Sequence, residues 1–287
     1  MTRFSFRQVD VFAPGPLTGN PVAVVHDADG LDEDRMAAFA RWTNLSETTF
    51  LLAPTDEGRA AGADYRLRIF TPGRELPFAG HPTLGSAHAW LEAGGEPARA
   101  DVVVQECGVG LVEVRRDEGP LAFAAPPLLR SGEAEPDVRA QATAALGVTP
   151  EQVLDAAWVD NGPGWVGLRL DSAATVLAIR PDLARMGDLK VGVVGPHTAA
   201  DAEALGADVE VRAFVPGLGV PEDPVTGSLN AGLALWLTAS GVLPASYVAR
   251  QGTAIGRDGR VTITTADDGR IWVGGVTTTV LTGDAEL

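Results

Sequence analysis

Residues 68–73 read Arg-Ile-Phe-Thr-Pro-Gly, and residues 212–217, 144 positions later, read Arg-Ala-Phe-Val-Pro-Gly. A turn rich in proline and glycine follows each copy. Residues 76–83 read Leu-Pro-Phe-Ala-Gly-His-Pro-Thr, and residues 221–228 read Pro-Glu-Asp-Pro-Val-Thr-Gly-Ser. Because repeats reveal an architecture that single segments hide, this duplication is the feature from which the fold is predicted.

The similarity continues beyond the two turns. Each turn leads into a segment typical of a hydrophobic helix, and each helix ends in Trp-Leu, at Trp90 and at Trp236. A glutamine lies 15 residues after each tryptophan, at Gln105 and Gln251. A duplicated strand–turn–helix unit of this kind predicts a pseudo-symmetric protein with a site between its two halves.

The pattern around the repeat predicts an α+β fold, because alternating or short apolar runs typical of strands surround the two helices, at 82–92 and 228–237. We expect two pseudo-symmetric halves, each a curled, mostly antiparallel sheet around its central hydrophobic helix. The first would comprise residues 1–128 joined by a C-terminal strand at 277–287, the second residues 129–276, with the active site in the cleft between them. Strands predicted between the central helices are 101–105, 109–115, 156–160, 165–170, 174–179 and 190–194.

Composition narrows the function. Twenty-two basic and 38 acidic residues give a net charge of −16, which argues against nucleic acid or an anionic membrane as partner. A small anionic ligand is still compatible with that charge, because helix termini act locally. The single cysteine, Cys107, excludes an intrachain disulfide and a cysteine metal cluster. The first 20 residues show neither a basic start nor an apolar run, so we expect a cytoplasmic protein.

Two segments predict anion-binding helix starts. Gly80-His81-Pro82 and Thr226-Gly227-Ser228 each place glycine where a helix begins, and the first turn of a helix offers unpaired N–H groups and a partial positive charge. Such a terminus binds a carboxylate or a phosphate. The alternative interpretation is an ordinary helix cap, and the occurrence of two copies in matched contexts favours binding.

Three ionisable residues are candidates for acid/base chemistry. Glu47 lies in an apolar, hydroxyl-rich strand, where burial of a carboxyl group would suit proton transfer. Asp223 precedes a proline in the second turn, and His81 begins the first helix, where the neutral imidazole is favoured. The structural alternatives are an outward-facing strand residue for Glu47 and a turn-forming aspartate for Asp223.

One motif is rejected. Residues 162–167 match the glycine pattern of dinucleotide-binding proteins, but they lead into a predicted strand rather than a helix. The sequence also has no phosphate-binding Walker loop, no His-Glu-x-x-His motif and no Gly-x-Ser-x-Gly elbow. We therefore expect neither a metal nor a cofactor.

Taken together, these motifs resemble the PhzF-like phenazine-biosynthesis family over nearly the whole chain. The resemblance rests on Asp10-Val11-Phe12, Gly19-Asn20-Pro21-Val22, Ser46-Glu47-Thr48-Thr49-Phe50, Pro77-Phe78-Ala79-Gly80-His81-Pro82-Thr83 and Glu222-Asp223-Pro224-Val225-Thr226-Gly227-Ser228. It implies the diaminopimelate-epimerase-like fold. The family's best-known member isomerises trans-2,3-dihydro-3-hydroxyanthranilate without metal or cofactor, so the resemblance implies an isomerase that works by general acid/base catalysis.

The resemblance also assigns roles to individual residues. Glu47 becomes the group that moves a proton between carbons, with His81 and Asp223 as its catalytic partners. Residues implied in substrate binding are Asn20, Gly80, Gly227 and Ser228. The expected partners are a small anionic or zwitterionic metabolite and a second copy of the chain in a homodimer. An epimerase or lyase acting on an amino-acid-like substrate, and a non-catalytic ligand-binding protein, remain alternatives.

Overall fold

The computed structural model describes residues 2–116, 119–216 and 221–287. Gly217, which ends the second copy of the repeated motif, lies outside these ranges. The chain separates into two compact units, Met1–Ala124 with Gly274–Leu287, and Ala125–Val273. We call them the first half and the second half.

Strands predominate in the described parts of both halves, and helices lie between some of them. The strands are β1 (Arg3–Val11), β2 (Asn20–Val25), β3 (Glu47–Leu52), β4 (Tyr65–Phe70), β5 (Glu75–Leu76), β6 (Val102–Cys107), β7 (Gly110–Arg115), β8 (Ala122–Ala124), β9 (Arg130–Glu133), β10 (Val153–Asp160), β11 (Trp165–Leu170), β12 (Lys190–Pro196), β13 (Val209–Phe214), β14 (Glu222–Asp223), β15 (Ser246–Gln251), β16 (Gly259–Thr265), β17 (Ile271–Gly274) and β18 (Thr277–Glu286). The helices are α1 (Glu33–Thr43), α2 (Asp56–Ala60), α3 (Gly80–Glu92), α4 (Pro136–Leu146), α5 (Ala173–Ala178), α6 (Leu183–Met186), α7 (Ala199–Leu205) and α8 (Gly227–Ala239).

The two halves share one order of strand pairing. In the first half β1 pairs antiparallel with β2, β2 parallel with β3, and β3 antiparallel with β4. Strand β4 then pairs antiparallel with β5 and parallel with β6, and α3 connects those two strands. In the second half β10, β11, β12, β13, β14, α8 and β15 repeat this sequence of elements with the same orientations. The sheets are thus mostly antiparallel, with matched parallel pairs.

The shared Arg-x-Phe of the repeat has one structural role in both copies. Arg68 in β4 binds Glu75 of β5 through two hydrogen bonds of 2.7 and 2.6 Å, and its guanidinium lies over the ring of Phe70. Arg212 in β13 binds Glu222 of β14 in the same way, at 2.9 and 2.7 Å, and lies over Phe214. Each arginine therefore fixes the short strand that leads into the central helix.

The central helices are packed closely by their strands. Residues 80–87 of α3 are all buried, and α8 is buried over most of its length. A Cβ atom on Gly232 of α8 would lie 2.3 Å from the carbonyl oxygen of Val159 in β10. Glycine at this position lets the helix approach the strand more closely than any other residue would permit.

The short helices differ from the sequence predictions. Residues 174–179 were expected to form a strand, and that expectation is wrong because residues 173–178 form α5. The Ser172 hydroxyl accepts a hydrogen bond from the Thr175 amide and so begins this helix. Helices α2 and α7, which were not predicted, begin in the same way at Thr55 and Thr198. In such short segments the apolar pattern is too short to distinguish a helix from a strand, and a capping hydroxyl favours the helix.

Candidate active site

Glu47 and His81 meet in the first half. Glu47 opens β3 and is paired with Val22 of the parallel strand β2, while His81 is the second residue of α3. The Oε2 atom of Glu47 lies 3.4 Å from the Nε2 atom of His81. Both side chains are largely buried, with 16% of Glu47 and 6% of His81 exposed. The strand and the helix therefore bring a carboxyl group and an imidazole together away from bulk water.

The imidazole of His81 is neutral at physiological pH. Burial lowers the pKa of His81 from 6.5 to about 3, and a hydrogen bond to the backbone of Pro21 opposes that shift. Because proline has no N–H group, its carbonyl oxygen accepts and the imidazole donates. Among the described residues Nε2 has no hydrogen-bond partner, so the donor is Nδ1. The lone pair of Nε2 therefore faces Glu47.

The other site residues predicted in the first half adjoin this pair. Asn20 is fully buried at the start of β2 and directly precedes Pro21, which binds His81. Gly80 is the first residue of α3 and is also buried. The N–H groups of Gly80 and His81 belong to the first turn, where a helix supplies no acceptor of its own. The carboxyl–imidazole pair thus lies next to a helix end that can bind an anion.

The second half gathers Asp223, Gly227 and Ser228. Asp223 ends the two-residue strand β14, which pairs with β13. Its Oδ2 atom accepts a hydrogen bond of 2.6 Å from the hydroxyl of Thr226. Gly227 and Ser228 are the first two residues of α8, so their N–H groups belong to its first turn. A carboxyl group and a helix start thus occur together here as well.

Sequence reasoning missed several residues that hold these groups. The Trp165 indole donates to the Ser228 hydroxyl at 3.0 Å, and the Asn161 amide donates to the Ser228 carbonyl at 2.9 Å. Both lie in or beside the glycine-rich segment rejected as a dinucleotide motif, which leads into strand β11 as expected. Pro21 and Gln251 were also missed, although the matched spacing of Gln105 and Gln251 was a signal for the latter.

The described residues give little support for a metal-binding site or for a cysteine nucleophile. Within residues 2–116, 119–216 and 221–287, His, Cys, Asp and Glu side chains form no group of three that could hold a metal ion. Burial raises the pKa of the Cys107 thiol, which makes it a poor nucleophile. Among the helices described, none combines the length and the apolar character required to span a bilayer.

The chain thus consists of two matched halves, and each half has a carboxyl group near the start of its central helix. The family model described as "Phenazine biosynthesis-like protein" matches residues 9–283, and the chain belongs to this family. The sequence resemblance to PhzF-like proteins is therefore confirmed.

Individual relatives agree with that assignment. Antisense-enhancing sequence 1 of Schizosaccharomyces pombe is 35% identical over 99% of both chains. Trans-2,3-dihydro-3-hydroxyanthranilate isomerase of Pseudomonas aeruginosa is 37% identical, over 88% of this chain and 87% of the relative. The crystal structure of a PhzF-family phenazine biosynthesis protein from Enterococcus faecalis matches with a TM-score of 0.79 at 27% identity, over 100% of both chains.

These similarities confirm two further expectations. The α+β class with pseudo-symmetric halves, of the diaminopimelate-epimerase-like type, is confirmed by the structural matches. The expected enzyme class is confirmed as well, because the curated relatives include named isomerases.

Proposed function

We propose that this chain is a cofactor-independent isomerase that moves a proton between two carbons of a small carboxylate-bearing substrate. The observation that carries the proposal is the pair formed by Glu47 and the neutral imidazole of His81. A carboxyl group with a proton acceptor beside it, at a helix start that can bind an anion, is suited to proton transfer on a carboxylate. One relative is named for isomerising a cyclic amino-carboxylate, and we propose a substrate of that class here.

In the proposed reaction Glu47 acts first as a base. Its carboxylate removes a proton from a C–H bond of the substrate, and the electron pair is delocalised into the adjoining unsaturated system. The 3.4 Å separation from Nε2 of His81 is slightly longer than a hydrogen bond, as expected for a carboxylate that faces a lone pair. Once Glu47 carries the proton, the same lone pair can accept from it. His81 thus stabilises the proton-loaded form of Glu47 until the proton is returned to another carbon.

The helix starts supply the electrostatic part of the proposed reaction. Beside Glu47, the N–H groups of Gly80 and His81 are preorganised donors for the carboxylate of the substrate and for the negative charge that develops in the transition state. Gly227 and Ser228 begin α8 of the second half with N–H groups of the same kind. Asp223 is the second proton-transfer group that we propose. No atoms are gained or lost in this scheme, because the removed proton is replaced by one returned elsewhere.

Solvent exchange tests the proposal. We would incubate the purified protein in heavy water with trans-2,3-dihydro-3-hydroxyanthranilate and, in parallel, with a panel of cyclic and open-chain amino acids, and follow products by proton NMR. We expect isomerisation, with solvent deuterium at the carbon that receives the proton to the extent that the proton on Glu47 exchanges with heavy water before it is returned. Glu47→Gln should slow the appearance of both signals by roughly 10²- to 10⁴-fold, whereas Glu96→Gln, which changes an exposed loop carboxyl, should leave their rates intact.

Three results would contradict the proposed proton shift between two carbons. Inversion of an amino-acid stereocentre without bond migration would identify an epimerase, and loss of a leaving group would identify a lyase. The absence of both turnover and exchange with every compound, with the protein folded, would contradict proton transfer and favour a ligand-binding protein.

A further inference from the structure

Gln251, the last residue of β15, is fully buried and saturated with hydrogen bonds. Its Oε1 atom accepts from the Thr226 amide at 3.1 Å and from the Asn230 amide group at 2.8 Å. Its Nε2 atom donates to the Asp223 carbonyl at 3.1 Å and to the Thr226 hydroxyl at 2.9 Å. Because both partners of Oε1 are N–H donors, the orientation of the side-chain amide is fixed.

Gln251, Thr226 and Asp223 form a hydrogen-bond network, and the orientation of the Gln251 amide determines which of its groups donate and which accept. The Thr226 hydroxyl receives an N–H from Gln251, so its own proton is available for Asp223. The hydroxyl lies 2.6 Å from Oδ2 of Asp223, a length typical of an O–H group that donates to a charged carboxylate. Gln251 therefore controls, through Thr226, both the rotation of the Asp223 side chain and the donor that its carboxylate receives.

The duplication provides an internal comparison. Gln105 occupies the matched buried position in the first half, where its Oε1 accepts from the Tyr65 hydroxyl and its Nε2 donates to the Thr83 hydroxyl. When Glu75 is aligned with Glu222 and Gly80 with Gly227, Leu76 and Ala79 stand where the second half has Asp223 and Thr226. The buried glutamine is common to both halves, but among the described residues the connection through a threonine hydroxyl to a carboxylate is made in the second half.

We propose that Gln251 is a positioning residue for the reaction and acts through Thr226 to hold the Asp223 carboxylate oriented and ionised. This inference rests on the proposed function, in which Asp223 takes part in proton transfer. Glu222, the neighbour of Asp223 in β14, forms an ion pair with Arg212. Its carboxylate therefore cannot take over the role of Asp223.

The main variant reverses the hydrogen bond between the side chain of residue 251 and the Thr226 hydroxyl. Gln251→Glu keeps the shape and the accepting oxygen but replaces the donating nitrogen, so the Thr226 hydroxyl would turn toward the new carboxylate and away from Asp223. We expect kcat to fall roughly 10- to 100-fold, the usual effect of a lost hydrogen bond to a charged group. KM should change little. The acid limb of the pH–rate profile should move to higher pH, because the carboxylate loses a donor that favours its ionised form.

Three further variants distinguish the proposed effect from misfolding. Thr226→Val removes the hydroxyl at nearly constant shape and should reproduce the loss of kcat and the shifted acid limb. Thr226→Ser retains the hydroxyl and should restore both. Gln105→Glu makes the same isosteric change at the matched buried position, so it should share any loss of stability with Gln251→Glu but leave the acid limb unmoved.

A measurement without substrate separates this inference from the proposed function. Carbon NMR of protein labelled at aspartate carboxyls, with the signal of Asp223 assigned by Asp223→Asn, gives the titration midpoint of that side chain directly. The midpoint should rise in Gln251→Glu and Thr226→Val and stay in place in Gln105→Glu and Thr226→Ser. An unmoved midpoint in the first two variants would overturn the positioning role, even if the wild-type protein proved to be an active isomerase.

Discussion

The Arg212 guanidinium and the Glu222 carboxylate form a doubly hydrogen-bonded ion pair in the interior of the second half. Only 4% of the arginine and 7% of the glutamate side chain are exposed, whereas the matched pair Arg68 and Glu75 is exposed by 18% and 37%. Arg212 also donates to the carbonyl groups of Val176 and Ile179. The same repeated motif thus places one ion pair in the core and the other near the surface.

This difference predicts unequal costs for one substitution. Glu222→Gln should lower the free energy of unfolding by about 3–5 kcal/mol, because it leaves the Arg212 charge buried without its counterion. Glu75→Gln is the matched control and should cost only about 0–1 kcal/mol, the usual contribution of an ion pair screened by solvent. Urea unfolding of both variants measures the difference. Equal effects would show that burial does not control the strength of these pairs.

Much of the fold could be predicted because the repeat is long and its chemistry is distinctive. Arg-x-Phe, a proline- and glycine-rich segment and an apolar helix recur together in the sequence, and Arg-x-Phe and the helix have matching structural roles in both halves. Helix α5 could not be predicted, because Ala173 to Ala178 are compatible with a buried strand and only the Ser172 cap decides for a helix. The matched parallel pairings could not be predicted either, since register depends on partners distant in sequence.

The residues of the candidate site were predicted from their chemistry, and their assembly into one site was implied only by the family resemblance. Glu47 and His81 were chosen for their chemistry, and no local pattern shows that residues 34 positions apart meet. Their contact depends on the parallel pairing of β2 with β3 and on the position of α3. The acceptor role of the Pro21 carbonyl was likewise invisible, because any residue carries that group. Backbone acceptors and buried amides such as Gln251 become apparent only in three dimensions.

The depressed pKa of His81 predicts a loss of stability in acid. Its value of about 3 lies below the ordinary 6.5 of the unfolded chain, so the unfolded state binds more protons between these limits. The contribution of His81 to the free energy of unfolding should therefore be constant above pH 7 and fall toward pH 3 by about 1.4 kcal/mol per pH unit. Chemical unfolding at pH 7.5 and pH 5, with wild type and His81→Asn, measures this contribution.

The comparison of two proteins at two pH values isolates His81. Burial also lowers the pKa of His26, to about 4, but that contribution is present in both proteins and cancels. The stability lost between pH 7.5 and pH 5 should be smaller in His81→Asn by roughly 2 kcal/mol, the effect of about 1.5 pH units of differential protonation. An equal loss in both proteins would mean that His81 is readily protonated in the folded state.

The close approach of α8 to β10 predicts that Gly232 cannot be enlarged. Gly232→Ala would place a methyl group against the Val159 carbonyl oxygen, 2.3 Å away, and should destabilise the protein by about 1–3 kcal/mol despite the better helix propensity of alanine. Gly283→Ala in β18 is the control, because a Cβ there would have no atom within 4 Å. Thermal unfolding of the two variants tests this, and a Gly232→Ala protein as stable as the control would refute the packing argument.

The strongest prediction for catalysis concerns Glu47. Glu47→Gln keeps the shape and the hydrogen-bonding capacity of the side chain but removes the group that titrates, so turnover should fall by roughly 10²- to 10⁴-fold. The melting temperature should stay the same or rise, because a carboxylate that faces the His81 lone pair is held there for function rather than for stability. Substrate binding should persist in this variant, since the helix starts hold the anion, whereas His81→Ala should weaken both binding and turnover. Steady-state kinetics and calorimetric titration separate these effects, with Glu96→Gln as the exposed control. Near-native turnover by Glu47→Gln would exclude Glu47 from the mechanism and make Asp223 the next residue to test.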